Sequence, residues 1–259
     1  MAFHGNIVLI TGGASGIGKV HAKSLAGRGA KVIVIDLDET GLKEISSASA
    51  NIIPFRCDVS ELKQVQDLVA KIEGEIGAVD RLIHCAAIMP GGLLSEVHAT
   101  QISEVMQINY VGMVNLTQTL LPYMVRRKAG DIIVYGSVAG IVVTNRFGAY
   151  GASKAATNFY MQVLMHENRG SHIRFQLVCP PAVDTPLIDQ AKDTGPKFLK
   201  DIQTNRKNLL SPELVVASVE SCLEKGIQIN YPGPARWIRI LYPCFPKLVS
   251  RLVNSNNRI

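Results

Sequence analysis

Cysteine, histidine and long apolar runs are all scarce in these 259 residues, and each shortage removes a class of protein. The five cysteines, Cys57, Cys85, Cys179, Cys222 and Cys244, are odd in number, widely spaced and free of any Cys-x-x-Cys pair. That argues against a disulfide framework or a zinc site and fits a reducing, cytoplasmic setting. The six histidines are scattered, so no metal site is expected. No window holds the roughly 18 consecutive apolar residues of a spanning helix. Met1 to Gly5 carries no basic lead and no cleavage motif, and Ile7-Val8-Leu9-Ile10 reads as a strand rather than a signal peptide. Acidic residues stop at Glu224. Six of the 27 basic residues (Lys225, Arg236, Arg239, Lys247, Arg251, Arg258) follow it and none of the 21 acidic ones does, so the net charge of +6 belongs to the tail. A basic protein ordinarily raises nucleic acid as a partner, but an excess confined to one end does not make a basic domain surface, and no nucleic acid is expected.

What is present is an alternation of short β-branched runs with longer helical patterns. The strands are expected at Ile7–Thr11, Lys31–Asp36, Ile52–Arg56, Arg81–Ala86, Asp131–Ser137, Arg174–Cys179 and Ile227–Tyr231. Several are apolar without alternation, as strands covered on both faces are. Helices are expected at Ile17–Gly27, Glu39–Ser46, Glu61–Ile76, Gln101–Arg127, Tyr150–Asn168 and Pro212–Glu224. This pattern predicts right-handed βαβ units and an α/β fold: a Rossmann-like, doubly wound, mostly parallel seven-stranded sheet with helices on both faces. One domain is expected over 1–259, with an irregular insertion at 186–210 and a basic, apolar tail at 234–259.

Gly12-Gly13-Ala14-Ser15-Gly16-Ile17-Gly18 lies between the first strand and the first helix. Glycines at 12, 16 and 18 permit a tight turn and close approach of backbone to a pyrophosphate, and the helix then offers its free N–H groups to the phosphates. Asp36 ends the second strand about 20 residues on, where a carboxylate can accept from ribose hydroxyls and repel a 2′-phosphate, which favours NAD over NADP. It can equally begin the turn Asp36-Leu37-Asp38. Asp58, in Cys57-Asp58-Val59, stands between binding the adenine amino group and capping the next turn.

Tyr150 and Lys154 fall one helical turn apart on one face. A free tyrosine is a poor base at neutral pH, and a lysine ammonium near its oxygen, with an oxidised nicotinamide, favours the phenolate. Ser137 follows the strand Ile132-Ile133-Val134-Tyr135, at the end of the sheet where open α/β folds place ligands.

Over residues ~5–190 these motifs resemble the short-chain dehydrogenase/reductase family, with its Thr-Gly-x-x-x-Gly-x-Gly loop, Asn, Ser and Tyr-x-x-x-Lys. The resemblance implies an NAD(P)-dependent oxidoreductase that interconverts a secondary alcohol and a ketone, expected on a hydrophobic lipid-, steroid- or acyl-like substrate. Ser137 would orient the substrate oxygen, Tyr150 act as general acid/base and Lys154 lower the tyrosine pKa, while Asn109 completes a proton relay through water. Cofactor contacts would come from Gly12, Ser15, Gly16, Ile17, Gly18, Asp36, Asp58, Val59, Ala86, Tyr150, Lys154, Val183 and Thr185. Two segments depart from the family pattern. His84-Cys85-Ala86-Ala87 stands for Asn-Asn-Ala-Gly, and Pro180-Pro181 for Pro-Gly, where Pro181 removes an N–H.

In the insertion, Leu187, Ile188, Phe198, Leu199 and Ile202 are expected to face inward as a lid over an apolar substrate, or simply to pack. Asp189, Lys192, Asp193, Lys197, Lys200 and Asp201 are expected on a solvated helix face. The tail interleaves Trp237, Ile238, Ile240, Leu241, Tyr242 and Phe245 with arginine and lysine. It suits an anionic membrane surface, a substrate cleft or a subunit contact. The long helices resemble the family's dimer faces, so a homodimer or homotetramer is expected. The rival readings are a catalytically silent dinucleotide-binding regulator and a peripheral membrane, lipid-binding module.

Overall fold

Val32-Ile33-Val34-Ile35 is buried along its whole length, and so is Ile7-Val8-Leu9-Ile10. Runs with no polar face are stable only where helices cover both sides of the sheet. The computed structural model describes residues 6–196, 206 and 209–254 and shows that arrangement. The strands are β1 (Ile7–Thr11), β2 (Lys31–Asp36), β3 (Ile52–Arg56), β4 (Arg81–His84), β5 (Gly130–Tyr135), β6 (Ile173–Val178) and β7 (Ile229–Asn230). All neighbouring pairs are parallel, in the order β3-β2-β1-β4-β5-β6-β7. The chain leaves β3 at one edge and returns on the far side of β1. The carboxyl ends of β1 and β4 therefore flank the switch point, where such sheets open a crevice.

The helices are α1 (Gly16–Ala26), α2 (Glu39–Ser47), α3 (Leu62–Lys71), α4 (Ala99–Met106), α5 (Gly112–Arg127), α6 (Gly148–Glu167), α7 (Pro212–Glu224), α8 (Ala235–Cys244) and α9 (Pro246–Asn254). One core packs Leu9, Ile33, Leu82 and Ile132 against Val65, Leu116 and Met161 from α3, α5 and α6. The other packs Val8, Ile10, Val34 and Ile133 against Leu25, Leu42, Val215 and Val219 from α1, α2 and α7. Helix α7 starts as its sequence dictates: Ser211 Oγ accepts from the Leu214 N–H at 3.2 Å, with Pro212 in the first turn.

The boundaries differ from the sequence expectation in instructive places. The segment 101–127 is two helices joined by a π-helical turn, Gln107–Val111, that widens around Asn109. The stretch 61–76 likewise ends in a π turn, Ile72–Ile76. Strand β4 stops at His84 and β5 at Tyr135, because Cys85, Ala86 and Ser137 turn away to line the crevice. β7 shrinks to two residues at the edge of the sheet. Under the opposite end, buried Arg81 meets Asp131 at 2.7 Å and Glu220 at 2.6 Å, and Arg174 shares Asp131 at 2.6 Å. This network ties β4, β5, β6 and α7 together away from the crevice.

Candidate active site

Gly12 has φ +63° and Gly16 φ +49°, both in the left-handed region that favours glycine. A methyl on Gly18 would sit 2.2 Å from the Gly12 carbonyl oxygen, and one on Gly12 would sit 2.8 Å from the Ala86 nitrogen. The loop therefore folds flat onto the start of α1 and onto the end of β4. Ser15 is the N-cap of α1, yet its side chain makes no capping hydrogen bond and the first turn holds no acid. The hydroxyl and the N–H groups of the first turn are left for an anion. This cradle fits a dinucleotide's pyrophosphate: glycines where a side chain would collide, and a helix end whose charge is not answered locally.

The crevice is a cavity of about 540 Å³. Gly12, Ser15, Gly16, Ile17 and Gly18 line one wall, Asp36, Asp58 and Val59 the far end, and Ala86, Val183 and Thr185 the middle. Ser137, Tyr150 and Lys154 stand at the other end. Asp36 accepts from the backbone N–H groups of Ala14 (3.1 Å), Leu37 (2.8 Å) and Asp38 (3.2 Å), so its carboxylate is held in place at the crevice. The turn and crevice readings of Asp36 thus hold together. For Asp58 the capping role is the observed one: one carboxylate oxygen accepts from Ser60 N–H at 2.9 Å and Ser60 Oγ at 2.7 Å. Thr185 packs its side chain against Gly16, and Val183 pairs with Leu210 in an isolated parallel bridge. The proline pair does not disrupt this wall, and the Pro180 carbonyl accepts from Val138 N–H at 3.3 Å.

Tyr150 is buried against Phe147, with ring centroids 5.7 Å apart, and interacts with the Ser137 hydroxyl. Burial pushes its phenol up to about 12, and the Ser137 hydrogen bond only partly opposes this. The Lys154 Nζ donates to the Tyr135 carbonyl at 2.8 Å and lies 5.9 Å from the centroid of the Tyr150 ring. In the protein alone the expected lowering of the tyrosine pKa by Lys154 is therefore not found. The ammonium is tethered to backbone rather than to the phenol oxygen, and desolvation outweighs it. Burial also lowers Lys154 to about 8.

Asn109 is the one expected catalytic residue that does not line the cavity. Its amide is spent on the loop after β4: Oδ1 accepts from Ile88 N–H at 2.8 Å, and Nδ2 donates to the Ile88 carbonyl at 2.9 Å and to Ser153 Oγ at 3.0 Å. Its carbonyl accepts from Thr157 Oγ1 at 3.4 Å. None of these bonds reaches Lys154 directly, and through them the side chain braces the loop after β4 against α6.

Sequence reasoning missed two buried histidines beside the site. His84 Nδ1 is hydrogen-bonded to Thr11 Oγ1 at 2.9 Å, and Thr11 Oγ1 accepts from Ala86 N–H at 3.2 Å, which stitches β1 to the loop after β4. On the other face His21 Nε2 meets the Tyr135 hydroxyl at 2.7 Å. Burial drops both histidines to about 3, so both are neutral. His21 Nδ1 and His84 Nε2 are buried without a hydrogen-bond partner among the described residues. Cys85 and Cys179 lie near Lys154, and burial keeps both thiols protonated. In the insertion, Leu187 and Ile188 line the cavity as expected, and Gln190 Oε1 accepts from Met89 N–H at 2.7 Å. Asp189, Lys192 and Asp193 are exposed as expected, and Asp189 pairs with Arg206 at 2.6 Å. Lys197, Phe198, Leu199, Lys200, Asp201 and Ile202 lie outside the described residues.

A family model described as short chain dehydrogenase matches residues 6–195. The 3-oxoacyl-(acyl-carrier-protein) reductase FabG of Thermotoga maritima is 31% identical over 194 residues, 73% of this chain and 79% of that protein. The 11-beta-hydroxysteroid dehydrogenase A of Sesamum indicum is 30% identical over 250 residues, 92% of this chain and 70% of that protein. A crystal structure of a short chain dehydrogenase/reductase from Burkholderia phymatum in complex with NAD superposes with a TM-score of 0.84 at 26% identity, covering 100% of this chain and 99% of that one. Matched from β1 past the phosphate cradle and the Tyr150 helix, the chain belongs to the short chain dehydrogenase family of nicotinamide-dinucleotide oxidoreductases.

Proposed function

We propose that the protein interconverts a secondary alcohol and a ketone on a small hydrophobic substrate, with NAD as cofactor. The observation that carries this reading is the wall around Tyr150. Met89, Phe147 and Ile188 cluster with Tyr150 and Leu187 packs against them, while Val142 and Ile238 line the same cavity. Apolar walls around a few placed polar groups select a hydrophobic ligand oriented by its one oxygen.

The dinucleotide, when bound, exchanges hydride with the carbon that carries that oxygen. The protein's part is the proton. Ser137 holds the substrate oxygen and Tyr150, neutral in its buried setting, donates to it as a ketone is reduced. In the oxidative direction Tyr150 must first lose its proton, a loss that its burial opposes in the protein alone. Ser15, Gly16, Ile17 and Gly18 would hold the pyrophosphate, with Gly12 and Ala86 shaping the floor beside it. Asp36 would take the adenosine ribose, Asp58 and Val59 flank the adenine, and Val183 and Thr185 face the carboxamide. The complete set Ser137, Tyr150 and Lys154 in one cavity favours this over a silent regulator.

Asp36 carries the cofactor preference. Like-charge juxtaposition costs several kcal/mol, so Asp36→Asn is expected to shift the NADH-to-NADPH affinity ratio toward NADPH by about two orders of magnitude. Fluorescence titration of wild type and variant with both cofactors measures it, and an unchanged ratio overturns the assignment.

We read the assembly as a homodimer or homotetramer formed at α5 and α6. Phe159 is 70% exposed and Val163, one turn on, is exposed on the same face of α6. Phe159→Glu is expected to lower the mass seen by light scattering to that of a smaller species; a monomeric wild type removes the reading. The C-terminal helices are read as a peripheral contact with a membrane from the cytoplasmic side. Among the described residues, no helix is long and apolar enough to cross one.

A further inference from the structure

Helix α8 has two apolar faces. At roughly 100° per residue, Ala235, Ile238 and Tyr242 fall on one side and Trp237, Ile240, Leu241 and Cys244 on the other. The first face is the docked one: Ala235 is fully buried, Ile238 and Tyr242 are half-buried, and Ile238 lines the cavity that holds Tyr150. The second face is bare. Trp237 is 54% and Ile240 58% exposed, and the apolar surface continues through Phe245 and Leu248 toward α9. Arg236 borders it, Lys247 and Arg251 extend it, Arg239 turns toward the Tyr231 ring at 5.8 Å from its centroid, and no acidic residue follows Glu224. Arg236 lies 5.2 Å from the Trp237 ring centroid, so cation and aromatic ring share the outer surface.

We propose that this outer face of α8 and α9 seats in the headgroup layer of an anionic lipid membrane and turns the mouth of the cavity toward the bilayer, so that apolar substrate enters from lipid past Ile238. This rests on the hydrophobic-substrate reading above and names where that substrate comes from. Charge chooses the occupant. A second copy seated face to face would bring this patch, with Arg236, Lys247 and Arg251 and no acidic residue, against the same basic patch, which is repulsive. An anionic headgroup layer answers every one of those charges, while tryptophan is at home at its boundary with the acyl chains. The two faces of α8 thus have different tasks: one closes the cavity wall, and the other meets the surface from which the substrate comes.

Trp237 is the only tryptophan in the chain, so its emission reports on this face without any substitution. The full-length protein is titrated with phosphatidylcholine vesicles with and without phosphatidylserine. The expected result is a blue shift and protection from acrylamide quenching on the anionic vesicles only, reversed by salt. Each basic residue near such a surface contributes about 1 kcal/mol, so Lys247→Glu with Arg251→Glu weakens vesicle affinity roughly 30-fold or more. NADH binding by that variant is expected to stay at the wild-type level. Emission that ignores anionic vesicles overturns the proposal, as does a blue shift that appears on concentrating the protein alone, which would assign the face to a second copy. For entry from lipid, the KM of a long-chain secondary alcohol is expected to fall in anionic vesicles for wild type and not for the double variant, at equal kcat. Docking with an unchanged KM overturns the entry step. Docking with normal NADH binding and no turnover of any alcohol or ketone instead overturns the reaction reading, so the two failures are distinguishable.

Discussion

Tyr150→Phe is expected to lower turnover by about a thousandfold, within the 10²–10⁴ range of a lost general acid/base, and to leave NADH affinity within a small factor of wild type. The substitution removes one oxygen and keeps the ring on Phe147, so α6 and the cavity wall stay in place. Because the buried phenol sits at about 12 in the protein alone, it serves ketone reduction as a ready donor across the neutral range. Alcohol oxidation needs the phenolate, so its kcat/KM should climb with pH while reduction stays flat until the phenol ionises. Steady-state kinetics in both directions from pH 6 to pH 10, beside an NADH titration of the variant, check all three points. Full activity in Tyr150→Phe would move the proton transfer to another group.

Acid should destabilise the fold well above the carboxylate range. His21 and His84 are held near 3 by burial, while in the unfolded chain each titrates near 6.5. Between those values the unfolded state binds two protons that the native state refuses. Stability is then full above pH 6.5 and is lost as pH falls, approaching about 2.7 kcal/mol per pH unit with both histidines engaged. By pH 5 the loss amounts to about 4 kcal/mol. For a chain of this size that is a drop in Tm on the order of 10 °C between pH 7 and pH 5. Thermal unfolding across this range tests it, with His21→Gln and His84→Gln each expected to remove about half of the pH dependence whatever they do to stability itself. A Tm that stays level to pH 5 would show that water or a partner satisfies these rings. The bare His21 Nδ1 and His84 Nε2 leave no internal acceptor for a second proton among the described residues.

The strands and most of the site were legible because their signals are local. Lys154 follows Tyr150 by four residues, and one helical turn brings the two side chains to the same face wherever the helix goes. The glycines at 12, 16 and 18 announce a cradle because a side chain at any of them meets backbone or Thr185. Other features depend on contacts that no spacing reveals. His21 and Tyr135 are 114 residues apart, and Arg81 and Glu220 are 139 apart; both pairs exist only because of the sheet order. Asn109 shows the limit from the other side. Its motif was recognisable, yet its amide is committed to Ile88 and Ser153, which only the packing of the π turn against the loop after β4 could disclose.

By itself, then, the sequence determined a parallel α/β sheet, a phosphate cradle at the first helix and a Ser137, Tyr150 and Lys154 set, since each is encoded by hydrophobic period, backbone freedom or helical spacing. The tertiary structure decided the surroundings of that set and which face of the tail is buried. Lys154 is drawn to the Tyr135 carbonyl and Tyr150 is desolvated, so the phenol is an acid before it is a base. The interleaved tail divides into a face that closes the cavity and a face that looks outward, because an amphipathic pattern fixes how apolar residues cluster while only the surface it packs against fixes which cluster is buried.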